Sequence, residues 1–324
     1  MIEVRNLTKT YPGATALDDI SFSIAKGDIV GFLGPNGAGK STTMRILTGF
    51  IPPTSGSATV AGFDVVRDSL EVRRRVGYLP ENNPLYTEMR VEEYLSFRAT
   101  LRQVPRARRG PAVDSALERC GLTDVRDRIV GHLSKGFRQR IGVADAIVHD
   151  PEIVILDEPT IGLDPTQVRE VRELIRGLGE SHTVLFSSHI LSEVEKICSR
   201  VLILSKGRLA ASGTPEEIAN QIMKTGRVRI EIRGEGRAIK ESLEKVPGVV
   251  RILWSNKGDQ NTYLVEPSDG VDLRPTLMRA CTSAGWDVYE LGYERLSLEE
   301  AFSILTAAPP KPFDAAQGKS GAAS

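Results

Sequence analysis

Eight consecutive residues, Gly34-Pro35-Asn36-Gly37-Ala38-Gly39-Lys40-Ser41, have the types and spacing needed to wrap a chain of phosphates. Glycines let the backbone turn tightly and bring its N–H groups close to phosphate oxygens. The apolar run before them reads as a strand and the residues after them as a helix, whose N-terminus adds partial positive charge. Lys40 is expected to reach the β- and γ-phosphates and Ser41 to hold Mg2+, with Thr42 in the same phosphate-binding turn. A second segment, Ile153-Val154-Ile155-Leu156-Asp157-Glu158, is four apolar residues followed by two acids. Ligands of open α/β sheets bind at the carboxyl ends of strands, where these acids fall. Asp157 suits Mg2+, directly or through a water, and Glu158 suits orienting and deprotonating an attacking water. Alone, the pair reads equally well as solvated acids; beside a phosphate loop it reads as the hydrolytic half of the same site.

Elements of two kinds must position these groups. Apolar segments at Asp28–Leu33, Pro151–Leu156 and Thr183–Ser187 alternate with helical patterns at Lys40–Leu47 and Thr166–Leu178. That alternation predicts an α/β core with a mostly parallel sheet over residues 1–219. Residues 85–148 carry helical patterns without a clear strand and are read as a helical insert. After a helix start at Thr214-Pro215-Glu216-Glu217 the pattern changes to βαββαβ over residues 227–306, which predicts a small ferredoxin-like α+β domain. From Ala307 to Ser324 the chain is rich in Ala, Pro, Gly and Ser and is expected to be a disordered tail.

Bulk properties narrow the partners. Lys+Arg and Asp+Glu both total 42, so no basic excess points to nucleic acid. Three cysteines, Cys120, Cys198 and Cys281, are far apart and form no CxxC pair, which fits a reducing cytoplasm and argues against a zinc site. No signal peptide and no membrane-spanning run is read, so any role at a membrane needs another polypeptide to cross it.

With these motifs in order, residues 2–219 resemble the ATP-binding subunits of ABC transporters. The most discriminating segment is Leu133-Ser134-Lys135-Gly136-Phe137-Arg138-Gln139-Arg140, which resembles the family's LSGGQ signature with Ser134 and Gly136 matched and with Lys135 and Phe137 in place of a glycine and the glutamine. This variant is similar to those of a branch serving two-component exporters, including gliding-motility and multidrug types. The resemblance implies a P-loop NTPase core, ATP and Mg2+ as ligands, and two subunits sandwiching two ATP molecules. Ser134 and Gly136 of one subunit then face the γ-phosphate held by the other, while Lys135 is read as pointing to solvent. It also implies that Tyr11 stacks on adenine and that Glu81, where glutamine is usual, touches Mg2+ and the attacking water. Asp164, in Ile161-Gly162-Leu163-Asp164, links the two subunits, and His189 contacts the γ-phosphate. The implied partners are a second copy and an integral membrane permease, with no nucleic acid, at the inner face of the cell membrane.

Two other signals are read as structural. Asn256-Lys257-Gly258-Asp259 matches the guanine-recognition pattern NKxD but has hairpin-turn composition and lies beyond the core. Arg102, Arg106, Arg108 and Arg109, like Arg73-Arg74-Arg75, read as solvated loops. The function expected is ATP hydrolysis energising transport, with export as its direction. The alternatives weighed are an ABC-type ATPase acting on nucleic acid or ribosomes, and a regulatory subunit that binds ATP without cleaving it.

Overall fold

The computed structural model describes residues 1–188, 191–222, 227–257, 260–268, 271–293 and 298–307. Two compact units are present, Met1–Pro215 with Phe302–Ser324, and Glu216–Ala301.

The first unit opens with β1 (Ile2–Tyr11), β2 (Ala14–Ile24), β3 (Ile29–Leu33), α1 (Lys40–Leu47), β4 (Ser55–Val60), β5 (Phe63–Asp64), α2 (Ser69–Arg75) and β6 (Val76–Leu79). It continues with α3 (Val91–Leu101), α4 (Arg106–Arg119), α5 (Lys135–Ile147), β7 (Ile153–Leu156), α6 (Pro165–Gly179), β8 (Thr183–Ser188), α7 (Leu191–Ile197), β9 (Arg200–Ser205) and β10 (Arg208–Gly213). Its central sheet has the order β10-β9-β3-β8-β7-β6. The ladders from β9 through β3, β8 and β7 to β6 are parallel, and β10 adds an antiparallel edge. All four residues of β7 are buried, as a strand covered on both faces requires.

A second sheet, β2-β1-β4-β5, is wholly antiparallel, whereas the sequence led us to expect one mostly parallel sheet. Its signal is an interrupted alternation rather than a continuous apolar run: Ile2 and Val4 point inward from β1 at period two, and Leu7 does so after an irregularity between Val4 and Leu7. Those side chains join Leu17, Ile20, Met44 and Ile155 in one core that ties both sheets to α1.

The helical insert is present as α3, α4 and α5, with short 3-10 turns at Thr123–Val125 and Val130–His132. The arginine-rich stretch expected as loop is mostly helix, because Pro105 ends the preceding turn and α4 starts at Arg106. Arg102 is half-buried and donates to the Arg73 carbonyl at 2.9 Å. Arg73, Arg74 and Arg75 belong to α2, where Arg74 and Arg75 pair with Glu71 at 2.5 and 2.6 Å.

The second unit contains α8 (Pro215–Ile222), β11 (Val228–Arg233), α9 (Gly236–Leu243), β12 (Val249–Lys257), β13 (Gln260–Pro267), α10 (Arg274–Ser283) and β14 (Val288–Tyr293); α11 (Leu298–Ala307) closes the described chain. Its sheet order, β14-β11-β13-β12, is that of a ferredoxin-like fold, antiparallel throughout. Val228, Ile230, Ile232, Tyr263 and Val265 face Ile239, Leu243 and Leu277 in a core of their own. Lys257 of β12 pairs with Gln260 of β13. Gly258 and Asp259, and the tail after Ala307, lie outside the described residues. Among the described residues no helix is long and apolar enough to cross a membrane, and Cys120, Cys198 and Cys281 are free thiols.

Candidate nucleotide site

The phosphate loop runs from the end of β3 into α1. Gly37 and Gly39 adopt φ of 79° and 107°, which glycine reaches at no steric cost. Gly39 has a second constraint: a Cβ there would sit 2.6 Å from the Ala16 carbonyl oxygen and from Leu17. The loop is closed by Ala38 N–H donating to the Pro35 carbonyl and Gly207 N–H donating to the Ala38 carbonyl, each at 3.1 Å. The first turn of α1 contains no acidic residue. No side chain of that turn therefore offsets the positive end of the helix, as an anion site requires. Asn36–Thr42 line a cavity of about 730 Å³, together with Ala16, Glu81, Glu158 and Ile161.

The carboxylates sit where β7 ends. Asp157 is 1% exposed and Glu158 6%. Ser187, on the neighbouring β8, donates to Asp157 Oδ1 at 2.8 Å and accepts from the Glu158 N–H at 2.7 Å. Asp157 N–H donates to the Leu79 carbonyl at 2.8 Å, so three adjacent strands fix the pair. Glu158 holds φ of 49°, a left-handed conformation that costs a non-glycine residue on the order of 1 kcal/mol and aims its side chain at the cavity. There its Oε1 lies 3.8 Å from Lys40 Nζ, which donates to the Gly34 carbonyl at 2.6 Å. Two buried acids in one place need cationic compensation, and Lys40 is one source. The negative field reaches Tyr78, whose phenol is pushed up to about 12 by burial and by the charge of Asp157.

A divalent cation would find hard oxygen donors on the cavity wall in the Ser41 hydroxyl and exposed Glu81, with the buried Asp157 carboxylate behind them beside Glu158. That donor chemistry fits Mg2+.

The structure thus lines one cavity with Asn36 to Thr42, Glu81 and Glu158, while Gly34 is tied to it through Lys40 and the buried Asp157 stands next to Glu158 at the end of β7 without lining it. It does not bring Ser134, Gly136 or Asp164 to this cavity. Ser134 caps α5, accepting from Phe137 N–H at 3.4 Å, and Asp164 caps α6, accepting from Thr166 and Gln167 N–H at 2.9 Å each. Tyr11 is 40% exposed with the Lys9 ammonium 5.2 Å from its ring, on the strand pair that carries Ala16. His189 lies outside the described residues. Lys135 is exposed, its side chain passing beside the equally exposed Gly162. Ser187 and Ile161 were not foreseen as site residues; Ser187 gave only a weak signal, as a hydroxyl at a buried strand's end.

Residues 17–161 match the family model described as ABC transporter. Over 211 residues the chain is 40% identical to the bacitracin transport ATP-binding protein BcrA of Bacillus licheniformis, covering 64% of this chain and 68% of that one. Over 302 residues it is 32% identical to the ABC transporter ATP-binding protein YxlF of Bacillus subtilis, covering 93% and 98%. Its fold is similar to that of a bacterial ABC transporter cassette solved as a dimer, with a TM-score of 0.61 and 25% identity over 66% of this chain and 98% of that one.

Proposed function

This chain belongs to the ATP-binding subunits of ABC transporters, and we propose that its glycine-lined loop and Glu158 bind and cleave ATP to drive export through a separate membrane permease. The observation that carries the chemistry is the placement of Glu158, buried on the cavity wall 3.8 Å from the loop's lysine. Residues 36–42 wrap the phosphates, and Lys40 offsets charge that develops on them. Ser41 and Asp157 would hold Mg2+, with Glu81 near them, and the ion would supply further charge neutralisation to the phosphates. Glu158 orients water and takes its proton, while Ser187 fixes both carboxylates. Tyr11 stacks on the adenine, His189 contacts the γ-phosphate, and Asp164 links the two subunits.

Ser134 and Gly136 stand away from the cavity of their own subunit. A head-to-tail pair gives them a use, since each tip then caps the phosphates held by the other subunit. The dimeric solved cassette supports that arrangement. The transport role is favoured over action on nucleic acid by the zero formal net charge and by the bacitracin transport relative.

The permease has a surface to meet. A cleft of about 540 Å³ lies between the end of α1 and the helical insert, with Phe50, Tyr78, Tyr94 and Asp145 on its walls and Arg45, Arg73, Arg98 and Arg102 around them. Phe50 is 70% exposed, Tyr86 49% and Phe97 36%, an apolar patch of the kind that marks a protein partner. Asp145 pairs with Arg98 at 2.6 Å, which leaves the cleft's remaining charge positive and suits a partner segment that is apolar and acidic.

Glu158→Gln tests the reading. The variant is expected to bind MgATP, to lose turnover by roughly 100-fold or more, and to run as a dimer with ATP on size exclusion. Hydrolysis at the parental rate refutes the role given to Glu158.

A further inference from the structure

We propose that the arginine-rich surface made by α2 and the turn from α3 to α4 docks on the anionic headgroups of a lipid bilayer, with exposed leucines entering the interface beside the arginines. The proposal rests on the transport reading for the presence of a membrane, and on nothing in the nucleotide site.

Residues 94–113 hold five arginines and no acid, in a chain whose formal charge is zero. Arg98 is neutralised by Asp145. The other four keep their charge, since among the described residues none of Arg102, Arg106, Arg108 and Arg109 forms an ion pair. Arg102 donates instead to the Arg73 carbonyl, and Arg109 to the Val104 carbonyl at 2.8 Å, bonds that hold a guanidinium in place without cancelling it. On α2, Arg74 and Arg75 share Glu71, whereas Arg73 bonds the carbonyl and hydroxyl of Ser69. The two elements are neighbours, joined by Arg102 to the Arg73 carbonyl and by Arg74 to the Gln103 side chain at 3.3 Å. Positive charge is therefore concentrated on one surface of a neutral chain.

Aliphatic side chains stand among these charges. Leu70 is 67% exposed and Leu101 56%, with Val66 exposed as well. Leu70 precedes Arg73 and Arg74 by three and four positions, so the three share one face of α2, while Val72 is buried on another. Leu101 adjoins Arg102 at the end of α3. A bilayer interface answers both kinds of group, because it takes aliphatic tips at the acyl boundary and guanidiniums at the phosphates. Nucleic acid would answer the charge and leave the leucines in water. The surface also continues the one assigned to the permease: Phe50, Arg73 and Arg102 line one cleft, and a Cβ on Gly49 would fall 3.3 Å from Ser69 at the start of α2. A permease is ringed by lipid, so a surface that extends outward from its docking cleft meets headgroups next.

The test is cosedimentation of the full chain with permease-free vesicles, of phosphatidylcholine alone or mixed with phosphatidylglycerol. Binding is expected to the mixed vesicles, to be weak on the neutral ones, and to fall as salt rises. An arginine near an anionic surface is worth about fivefold in binding, so Arg106→Gln combined with Arg108→Gln should weaken partition roughly 25-fold. Leu70→Ser combined with Leu101→Ser should weaken it about fivefold or more. Both double variants keep the parental melting temperature and ATPase rate, since all four side chains are exposed and outside the nucleotide site. Equal binding to the two vesicle types, or parental binding by either double variant, overturns the proposal. So does binding of duplex DNA as tight as that of mixed vesicles and unaffected by the leucine changes, which would assign the charge to nucleic acid. Capture of a membrane protein by a chain that ignores vesicles sinks the lipid surface alone; vesicle binding by a chain that captures none sinks the transport reading and leaves the lipid surface standing.

Discussion

Ser187 divides one hydroxyl between two tasks, donating to Asp157 and accepting from the Glu158 backbone. Removing it takes one hydrogen-bond partner from each of two buried groups. Ser187→Ala is therefore expected to lower kcat roughly 10- to 100-fold and to weaken Mg2+ dependence, with ATPase titrated against Mg2+ as the check. The serine was not legible because its partners are 30 and 29 positions away in the chain and meet it only through the pairing of β7 and β8. Lys40 and Ser41 were legible because the loop's geometry is local. A second prediction concerns His149, whose ring is pushed down from 6.5 to about 3 by burial and by the Arg102 guanidinium. A base with a lowered folded pKa stabilises fully above its unfolded value and loses that contribution as pH falls. Stability should therefore drop between pH 6.5 and about 3, by up to about 1.4 kcal/mol per pH unit from this group. His149→Gln should flatten the shift of the urea midpoint over that range; an unchanged shift assigns it elsewhere.

Gly39 joins two elements by lying where no side chain fits, with Ala16 and Leu17 of β2 against it. Gly39→Ala is expected to force the loop away from β2 and abolish nucleotide binding, while the melting temperature changes little; retained binding in a fluorescent ATP titration contradicts this. The cleft beside α1 makes a separate prediction. Phe50→Asp should leave ATP binding at the parental level and abolish capture of the polytopic membrane partner from detergent extracts. Strand β7 and helix α1 were readable because a continuous apolar run and a glycine-rich turn are strong local signals. The sheet β2-β1-β4-β5 was not, since its alternation is broken by register shifts in the β1 ladders. The basic stretch beginning at Arg106 looked like loop by composition, yet Val113, Ala116 and Leu117 bury one face of α4 and hold the whole segment helical.

At the scale of the whole chain, the two units carry separate cores, one on the sheets around α1 and one on β11, β12 and β13. The change of pattern after residue 213 made that division readable, although composition gives no account of what the second unit does. A chain ending at Ala219 is expected to bind MgATP with the parental affinity, and a loss of binding on truncation would make the second unit part of the nucleotide site. The central claim is that triphosphate is held by the loop from Gly34 to Ser41. Its most direct test is equilibrium titration of the purified full chain and of Lys40→Ala with a fluorescent ATP analogue and Mg2+. Losing a buried ammonium from the phosphates should weaken binding roughly 10- to 100-fold. Equal affinity of the two proteins would contradict the claim.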